Sequence, residues 1–514
     1  MRLRITGGAG HASSASVHQR DRERPVGRSE RSPSSRAGAQ PAAAVPVDVS
    51  EEAATRNRTE VWWLLLLMVV GFFAAVAAHY VQGVYRGQPY PFNTFLYRPN
   101  DGPLGNSTFV GVHLFGDFNA TWHHSGDASP YLRPSTAFAS NYPPFAHLLV
   151  RPLSALPYGV ALAIFLVGVT AAVLWLVAAQ LRDVALPLRL LAAGVIGLLD
   201  YPMLFMLDRG NIEGLLLLLV AAAALCARRR AWTWSAVLIG AAAAMKGYPV
   251  LFIFVLLGAR RYRDAIVAAV TAAGLTLISF MTLWGGIRTN ARALLTSLQG
   301  FDAAGAGEAG VQHGSSLNGL VSVAAHVWPA MSWIPRLTIP LTIGVLLVGA
   351  VAVVSGRLLL RQSCAVVAGL TILVPSVAYD YRLVLMLVPL LVLLREPGGL
   401  LRRPSILALG LLFVPKGLPV LYGEVNIGAV LNPLLLLLLV LGLSAAAFRQ
   451  RSTRAEPGDT GELLPRDGST RPDASRHAKV AANRGAPSAA ELAPQDEQAP
   501  RIEGTPDAVP FGGA

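Results

Sequence analysis

The chain is poor in charge and nearly empty of cysteine. Asp, Glu, Lys and Arg make up only 14% of its 514 residues, against about 25% in soluble globular domains, and this excludes an ordinary soluble protein. Cys226 and Cys364 are the two cysteines, both in or at the end of apolar runs. That excludes a disulfide framework and a thiolate metal site and leaves buried filler. No glycine-rich phosphate fingerprint follows a strand, so a nucleotide fold is excluded as well. Internal repeats are not evident. The first apolar run begins some 60 residues in, behind an arginine-rich stretch, and does not have the form of a cleavable leader.

What the chain has in abundance is oil. It is 53% hydrophobic with a mean hydropathy of +0.48. Runs such as VWWLLLLMVVGFFAAVAAHYV (61–81) and ALAIFLVGVTAAVLWLVAAQ (161–180) reach the roughly 20 residues a membrane helix needs. The fold class is therefore an all-α polytopic membrane protein. Twelve spans are expected, near 60–80, 157–180, 187–206, 211–227, 231–245, 247–259, 265–284, 336–356, 363–379, 383–395, 404–422 and 428–447. They make up a membrane domain over 59–448. Residues 1–58 and 449–514 are polar and rich in Ala and Pro, the first also in Arg and Ser, and are expected to be disordered tails.

The net charge of +13 lies mostly in tails and short loops, which is the positive-inside pattern and not a nucleic-acid footprint. With both termini cytoplasmic, the clusters Arg228–Arg230, Arg260–Arg263, Arg357 with Arg361, Arg395 with Arg402 and Arg403, and Arg449 with Arg451 all fall on the cytoplasmic side. Two long loops, 81–156 and 285–335, then lie outside. The clusters at 228–230 and 260–263 must share a side, so the chain between them crosses and returns within 29 residues. Gly247 and Pro249 mark the break, because proline cannot continue a helix interior. Lys246 therefore belongs at an outer turn, in a protein-lined or water-filled cavity and not in lipid.

Other polar residues collect on the same face: Asp208, Arg209, Asn211 and Glu213 in LDRGNIEG, Asp380 and Arg382 in AYDYR, and Glu424 with Asn426. Four such hairpins suggest one shared polar cavity. The first outer loop adds Asp117, Asp127, His113, His123 and His124. Neighbouring histidines invite a zinc reading, but adjacent side chains point apart and no Cys or Glu completes a set, so no cofactor is certain and a divalent metal stays an open alternative without support in the sequence. One of the two aspartates suits a general base taking a proton from an attacking sugar hydroxyl. Cations at this face, Lys246, Arg209 and Arg382 with His313 beside them, suit a phosphate leaving group. LLVRPLSALP (148–157) reads as a short amphipathic surface helix, and GEAGVQHGSSLNGL (307–320) as a mobile segment over the cavity.

The ordered set of Asp117, PY at 130–131, YPPF at 142–145, RGNIEGLLLLL at 209–219, LIGAAAAMKGYPVLFIF at 238–254, HGSSLNGL at 313–320 and AYDYRLVLMLVPLL at 378–391 resembles glycosyltransferase family 87 of the GT-C superfamily. The resemblance covers residues 60–450. It implies a GT-C-type bundle in the plasma membrane that moves a sugar, typically mannose, from a polyprenyl-phosphate donor to a glycolipid or polysaccharide acceptor at the outer face. It implies Asp117 as the base, and a substrate cavity lined by Asp127, Tyr131, Tyr142, Asn211, Glu213, Tyr248, Asn318 and Asp380. Membrane lipids are its surroundings. Glu213 stands where relatives often carry an amide. A multi-pass transporter or lipid-linked-sugar flippase is the alternative, favoured by the break at KGYP.

Overall fold

The computed structural model describes residues 49–85, 87, 96, 113–136, 139–306, 314–394, 403–420 and 425–453. His313 and Glu424 lie outside the described residues, as do most of both tails. Helix α1 (Val49–Tyr85) begins within the segment expected as a tail. Then come α2 (Gly116–Gly126), α3 (Pro144–Ser154) and α4 (Tyr158–Gln180). The middle of the chain holds α5 (Leu186–Leu198), α6 (Tyr201–Arg209), α7 (Glu213–Arg228), α8 (Trp232–Met245), α9 (Ile253–Gly258), α10 (Tyr262–Met281) and α11 (Ile287–Ala306). The remainder is α12 (Leu317–Val327), α13 (Thr338–Val354), α14 (Leu360–Leu373), α15 (Leu387–Leu393), α16 (Arg403–Leu412) and α17 (Ile427–Thr453). A two-residue antiparallel ladder pairs Pro419 with Asn426 and Val420 with Val425.

Among the described residues five stretches are long and apolar enough to cross a membrane unbroken: Trp62–Tyr85, Tyr158–Gln180, Tyr262–Met281, Ile334–Val354 and Ile427–Arg449. Their exposed faces carry large apolar side chains such as Val167, Trp175, Ile266, Val270, Ile339 and Leu347. Water would not tolerate such faces and lipid does. The span expected over 187–206 is instead a pair, α5 and α6, bent by 55° at Leu199–Asp200, where Pro202 enters the first turn of α6. Several other expected spans are short helices. In α14 every residue from Ser363 to Leu373 is buried, as is all of α15. A helix apolar all round belongs inside a bundle, where it need not match the bilayer.

Helices α7, α8 and α10 pack in succession. Gly240 lets α8 and α10 approach closely, since a Cβ there would sit 2.6 Å from the Ala268 carbonyl oxygen and from Thr271. The α7–α8 and α9–α10 turns end alike. Arg230 and Arg260 are left-handed (φ 61° each), and the following N–H groups reach back to the Cys226 and Leu256 carbonyls at 2.9 Å. This is a Schellman closure, built here on arginine without the usual glycine. The two arginine turns thus cap one end of the bundle. Helix α7 spans 16 residues from Glu213 to Arg228, about 24 Å at about 1.5 Å per residue. Glu213 and Lys246 consequently stand at the end opposite the arginines.

The described parts of the expected outer loops contain helices. Loop 81–156 contains α2 and α3, and 285–335 contains α11 and α12. The amphipathic segment starts at Pro144, not at 148, and its buried face, with Phe145, His147 and Val150, packs on α2 and α10. The expectation of a mobile segment over 307–320 does not hold for its last part: Ser315 and Ser316 are buried, and the Ser315 N–H donates to the Ala378 carbonyl at 2.6 Å.

Candidate active site

Four chain segments converge at the end of the bundle away from the arginine turns. Helix α6 closes at Gly210, whose φ of 62° and missing side chain are both needed. A Cβ there would lie 2.6 Å from the Cβ of Phe118 on α2. This close approach lets Arg209 and Asn211, on either side of the glycine, reach Asp117 in the first turn of α2. The Arg209 Nε and Nη2 donate to the two Asp117 oxygens at 2.9 and 3.1 Å, a bidentate pair. The Asn211 Nδ2 donates to the same carboxylate at 2.7 Å. Two consecutive left-handed residues, Leu114 and Phe115, precede α2. Outside glycine that conformation costs of order 1–3 kcal/mol per residue and is found where function holds it in place.

Asn211 is the hub. Its Oδ1 accepts the Glu213 N–H at 3.0 Å and lies 3.4 Å from the Lys246 Nζ, and its Nδ2 lies 3.4 Å from the Tyr142 hydroxyl. Glu213, fully buried, accepts the Lys246 ammonium at 2.9 Å and the Tyr248 hydroxyl on one oxygen, Oε1. The Arg382 Nε is 3.7 Å from that same oxygen. Among the described residues the other oxygen, Oε2, has no hydrogen-bond partner, and neither do the Nε and Nη1 of Arg382. Aromatic rings close the cluster: Lys246 lies 4.7 Å from the Tyr142 ring centroid and 5.9 Å from that of Tyr381, and Arg382 lies 4.4 Å from that of Tyr248. Lys246 ends α8 in an extended conformation before the short 3-10 turn Tyr248–Phe252. The break at KGYP is where the sequence put it, and the lysine is inside protein.

Asp117 is the most open acid of this cluster, with its side chain 21% exposed. Burial works to raise its pKa, but the Arg209 charge and hydrogen bonds, the Asn211 amide and the Lys246 charge outweigh that and hold the carboxyl below its ordinary value. At neutral pH it is ionised and can accept a proton.

Not every expected cavity residue joins. Asp127 accepts the Ser135 N–H at 3.0 Å and lies 3.3 Å from the Nδ1 of His124, tying down its own loop. Asp380 takes the Tyr201 hydroxyl at 3.1 Å, the Ser315 hydroxyl at 2.7 Å and the Asn432 amide at 2.9 Å, in a separate buried knot. Asn318 donates to the Ser376 carbonyl at 3.2 Å, beside a small notch lined by Ser316 and Tyr379. Tyr131 acts at one remove, its hydroxyl donating to the Tyr142 carbonyl at 2.6 Å. His113 pairs with Asp208, which is fully buried. Among the described residues no group of three or more His, Cys, Asp or Glu is gathered as a metal site.

His147 and Tyr381 do belong with the site and escape sequence reasoning. The Ser125 hydroxyl already donates to the Thr121 carbonyl at 2.7 Å, so the His147 Nδ1, 3.4 Å from that oxygen, carries the hydrogen. Its Nε2 then accepts the Ser140 hydroxyl at 2.8 Å, and Ser140 in turn accepts the Tyr142 N–H at 3.1 Å. The histidine so positions the loop that carries Tyr142. The only signal was its place two residues after YPPF.

This is an all-helical membrane protein whose polar site is held at one end of the bundle. Residues 141–379 match the family model described as Glycosyltransferase family 87, as the resemblance anticipated. The stretch includes Tyr142, Arg209, Asn211, Glu213, Lys246 and Tyr248, while Asp117 and Arg382 lie outside it. The chain is 27% identical over 224 residues to a polyprenol-phosphate-mannose-dependent alpha-(1-2)-phosphatidylinositol pentamannoside mannosyltransferase of Mycolicibacterium smegmatis. The match covers 42% of this chain and 52% of that relative, so it spans about half of the relative's length. No solved structure matches. The chain is glycosyltransferase family 87-like, and mannosyltransferase-like in that stretch.

Proposed function

We propose that this protein is an integral-membrane inverting glycosyltransferase. It takes a sugar, mannose by its likeness to the relative, from a polyprenyl-phosphate donor and passes it to a glycolipid or envelope glycan at the extracytoplasmic face of the plasma membrane. The observation that carries the reading is the charged cluster of Asp117, Arg209, Asn211, Glu213, Lys246 and Arg382 at the bundle end opposite the arginine turns. If those turns are cytoplasmic, the cluster faces the side where lipid-linked sugars, not nucleotide sugars, are the available donors. The full domain of twelve crossings, with both tails cytoplasmic, belongs to the same proposal.

In this reading Asp117 is the general base and removes the acceptor hydroxyl proton as that oxygen attacks the anomeric carbon. The leaving phosphate develops charge against the cations. Arg382 is the best placed of these, since its Nε and Nη1 are buried without a hydrogen-bond partner. Lys246 is neutralised by Glu213 and acts through the field and by fixing Asn211. A bent α5–α6 pair and the KGYP break also suit a transporter, the second reading.

Transfer of label from radiolabelled polyprenyl-phosphate mannose to membrane lipids distinguishes them, comparing wild type with Asp117→Asn at equal expression. Transfer by wild type, with at least about a hundredfold loss in the variant, is expected for a general base. Equal transfer by both removes Asp117 from that role. No transfer by either rejects the donor reading and favours transport.

A further inference from the structure

The cluster contains three cations, Arg209, Lys246 and Arg382, and two carboxylates, Asp117 and Glu213. Glu213, fully buried, holds the mostly buried Lys246 and Arg382, while Arg209 and Asp117 form the open pair, their side chains 30% and 21% exposed. Among the described residues these five side chains carry a surplus of one positive charge. A polyprenyl-phosphate sugar is a phosphodiester with one negative charge, and its binding brings the cluster to neutrality. The product is a monoester with about two negative charges at neutral pH.

Resting on the proposed transfer reaction, we propose that Arg209 is a hand-over residue, which leaves the Asp117 carboxylate for the leaving phosphate as the sugar is transferred. The bond between the anomeric carbon and the phosphate oxygen breaks, and its electron pair goes to the phosphate. The acceptor oxygen bonds to that carbon, and its proton goes to Asp117. Asp117 loses its charge in the step in which the phosphate gains one. The cluster is neutral before and after, and what must move is the guanidinium that was paired with the carboxylate.

The geometry suits such a move. Arg209 terminates α6 beside the glycine turn, has the more exposed side chain of the pair, and grips Asp117 through both oxygens. Asn211 keeps its own bond to the carboxylate, so Asp117 stays oriented when the arginine departs. Lys246 cannot serve in its place without giving up its own bond to the buried Glu213.

Asp117→Asn mimics the protonated base and removes the carboxylate that Arg209 grips through both oxygens. The test is binding of farnesyl phosphate, the monoester, and farnesyl phosphoryl mannose, the diester, to the full chain in nanodiscs. The variant is expected to bind the monoester about tenfold tighter than wild type does, about 1.4 kcal/mol. The diester, with half the charge, gains about threefold on the same logarithmic scale. In an Arg209→Gln background the Asp117→Asn gain for the monoester should largely vanish, and in Arg209→Lys it should be intermediate. An equal gain with and without Arg209 means general charge repulsion by Asp117 and overturns the hand-over, as does no gain at all. If both ligands bind wild type, the donor reading stands whatever the variants do. If neither binds, the donor reading falls and takes the hand-over with it.

Discussion

At the residue scale the site depends on how one buried carboxylate divides its contacts. Glu213 gives Oε1 to Lys246 and Tyr248, with Arg382 at ion-pair distance. Removing it leaves two buried cations facing each other, and losing one partner of a buried pair costs about 3–5 kcal/mol. Glu213→Ala is therefore expected to lower thermal stability by that amount. Glu213→Ala with Lys246→Met should recover part of the loss, since only Arg382 then stays uncompensated; additive losses measured by detergent-solubilised melting would refute the pairing. The sequence exposed these residues but not their pairing. LDRGNIEG and MKGYP are visibly odd in an oily chain, because a charge near membrane depth is costly. That Arg209 closes on Asp117, 92 positions away, has no local signature, and three cations expected on the phosphate prove to have two carboxylates among them.

At the element scale the turn at Gly210 decides whether the site assembles. Gly210→Ala must adopt a left-handed φ and push against Phe118 at 2.6 Å. We expect about 1–3 kcal/mol of destabilisation, with sugar transfer lost beyond what the melting change explains; a variant of wild-type stability and activity would contradict this. The loop bearing Tyr142 depends likewise on His147, whose pKa burial, with a smaller push from His124, holds down to about 3. The groups facing it are His124, Tyr131, Tyr142, Ser125 and Ser140. The unfolded histidine takes a proton below about pH 6.5 and the folded one does not until about pH 3, so stability present at neutral pH is lost as pH falls, by about 2 kcal/mol at pH 5. His147→Gln should flatten the fall in melting temperature between pH 7 and pH 5. An unchanged slope would assign the acid sensitivity to other groups. The elements were unevenly legible. Pro249 announced the break after α8, and Pro202 offered the same warning within α5–α6. Helix α11 was missed because run length was the criterion, although Ile287, Ala291, Leu294, Leu298 and Phe301 recur at helical spacing.

At the scale of the whole molecule, everything proposed for the reaction depends on which side of the membrane the cluster faces. The helices α7, α8 and α9 run between the cluster and the two arginine turns, so the ends are distinct whatever the orientation. Arginine bias assigns the turns to the cytoplasm; the fold itself is indifferent to being inverted. Two exposed positions report the ends: Arg229 in the α7–α8 turn, and Arg288 in α11, which follows α10 back to the cluster end. With Cys226 and Cys364 changed to serine and alanine, a single cysteine is introduced at Arg229 or Arg288. A membrane-impermeant maleimide is expected to label Arg288→Cys in intact cells and Arg229→Cys only after lysis. The reverse pattern would turn the cluster towards the cytoplasm, where nucleotide sugars compete as donors, and the lipid-linked donor would lose its physical argument. Labelling of Arg288→Cys in intact cells, with protection by farnesyl phosphoryl mannose, would tie the orientation to the donor at the same end of the molecule.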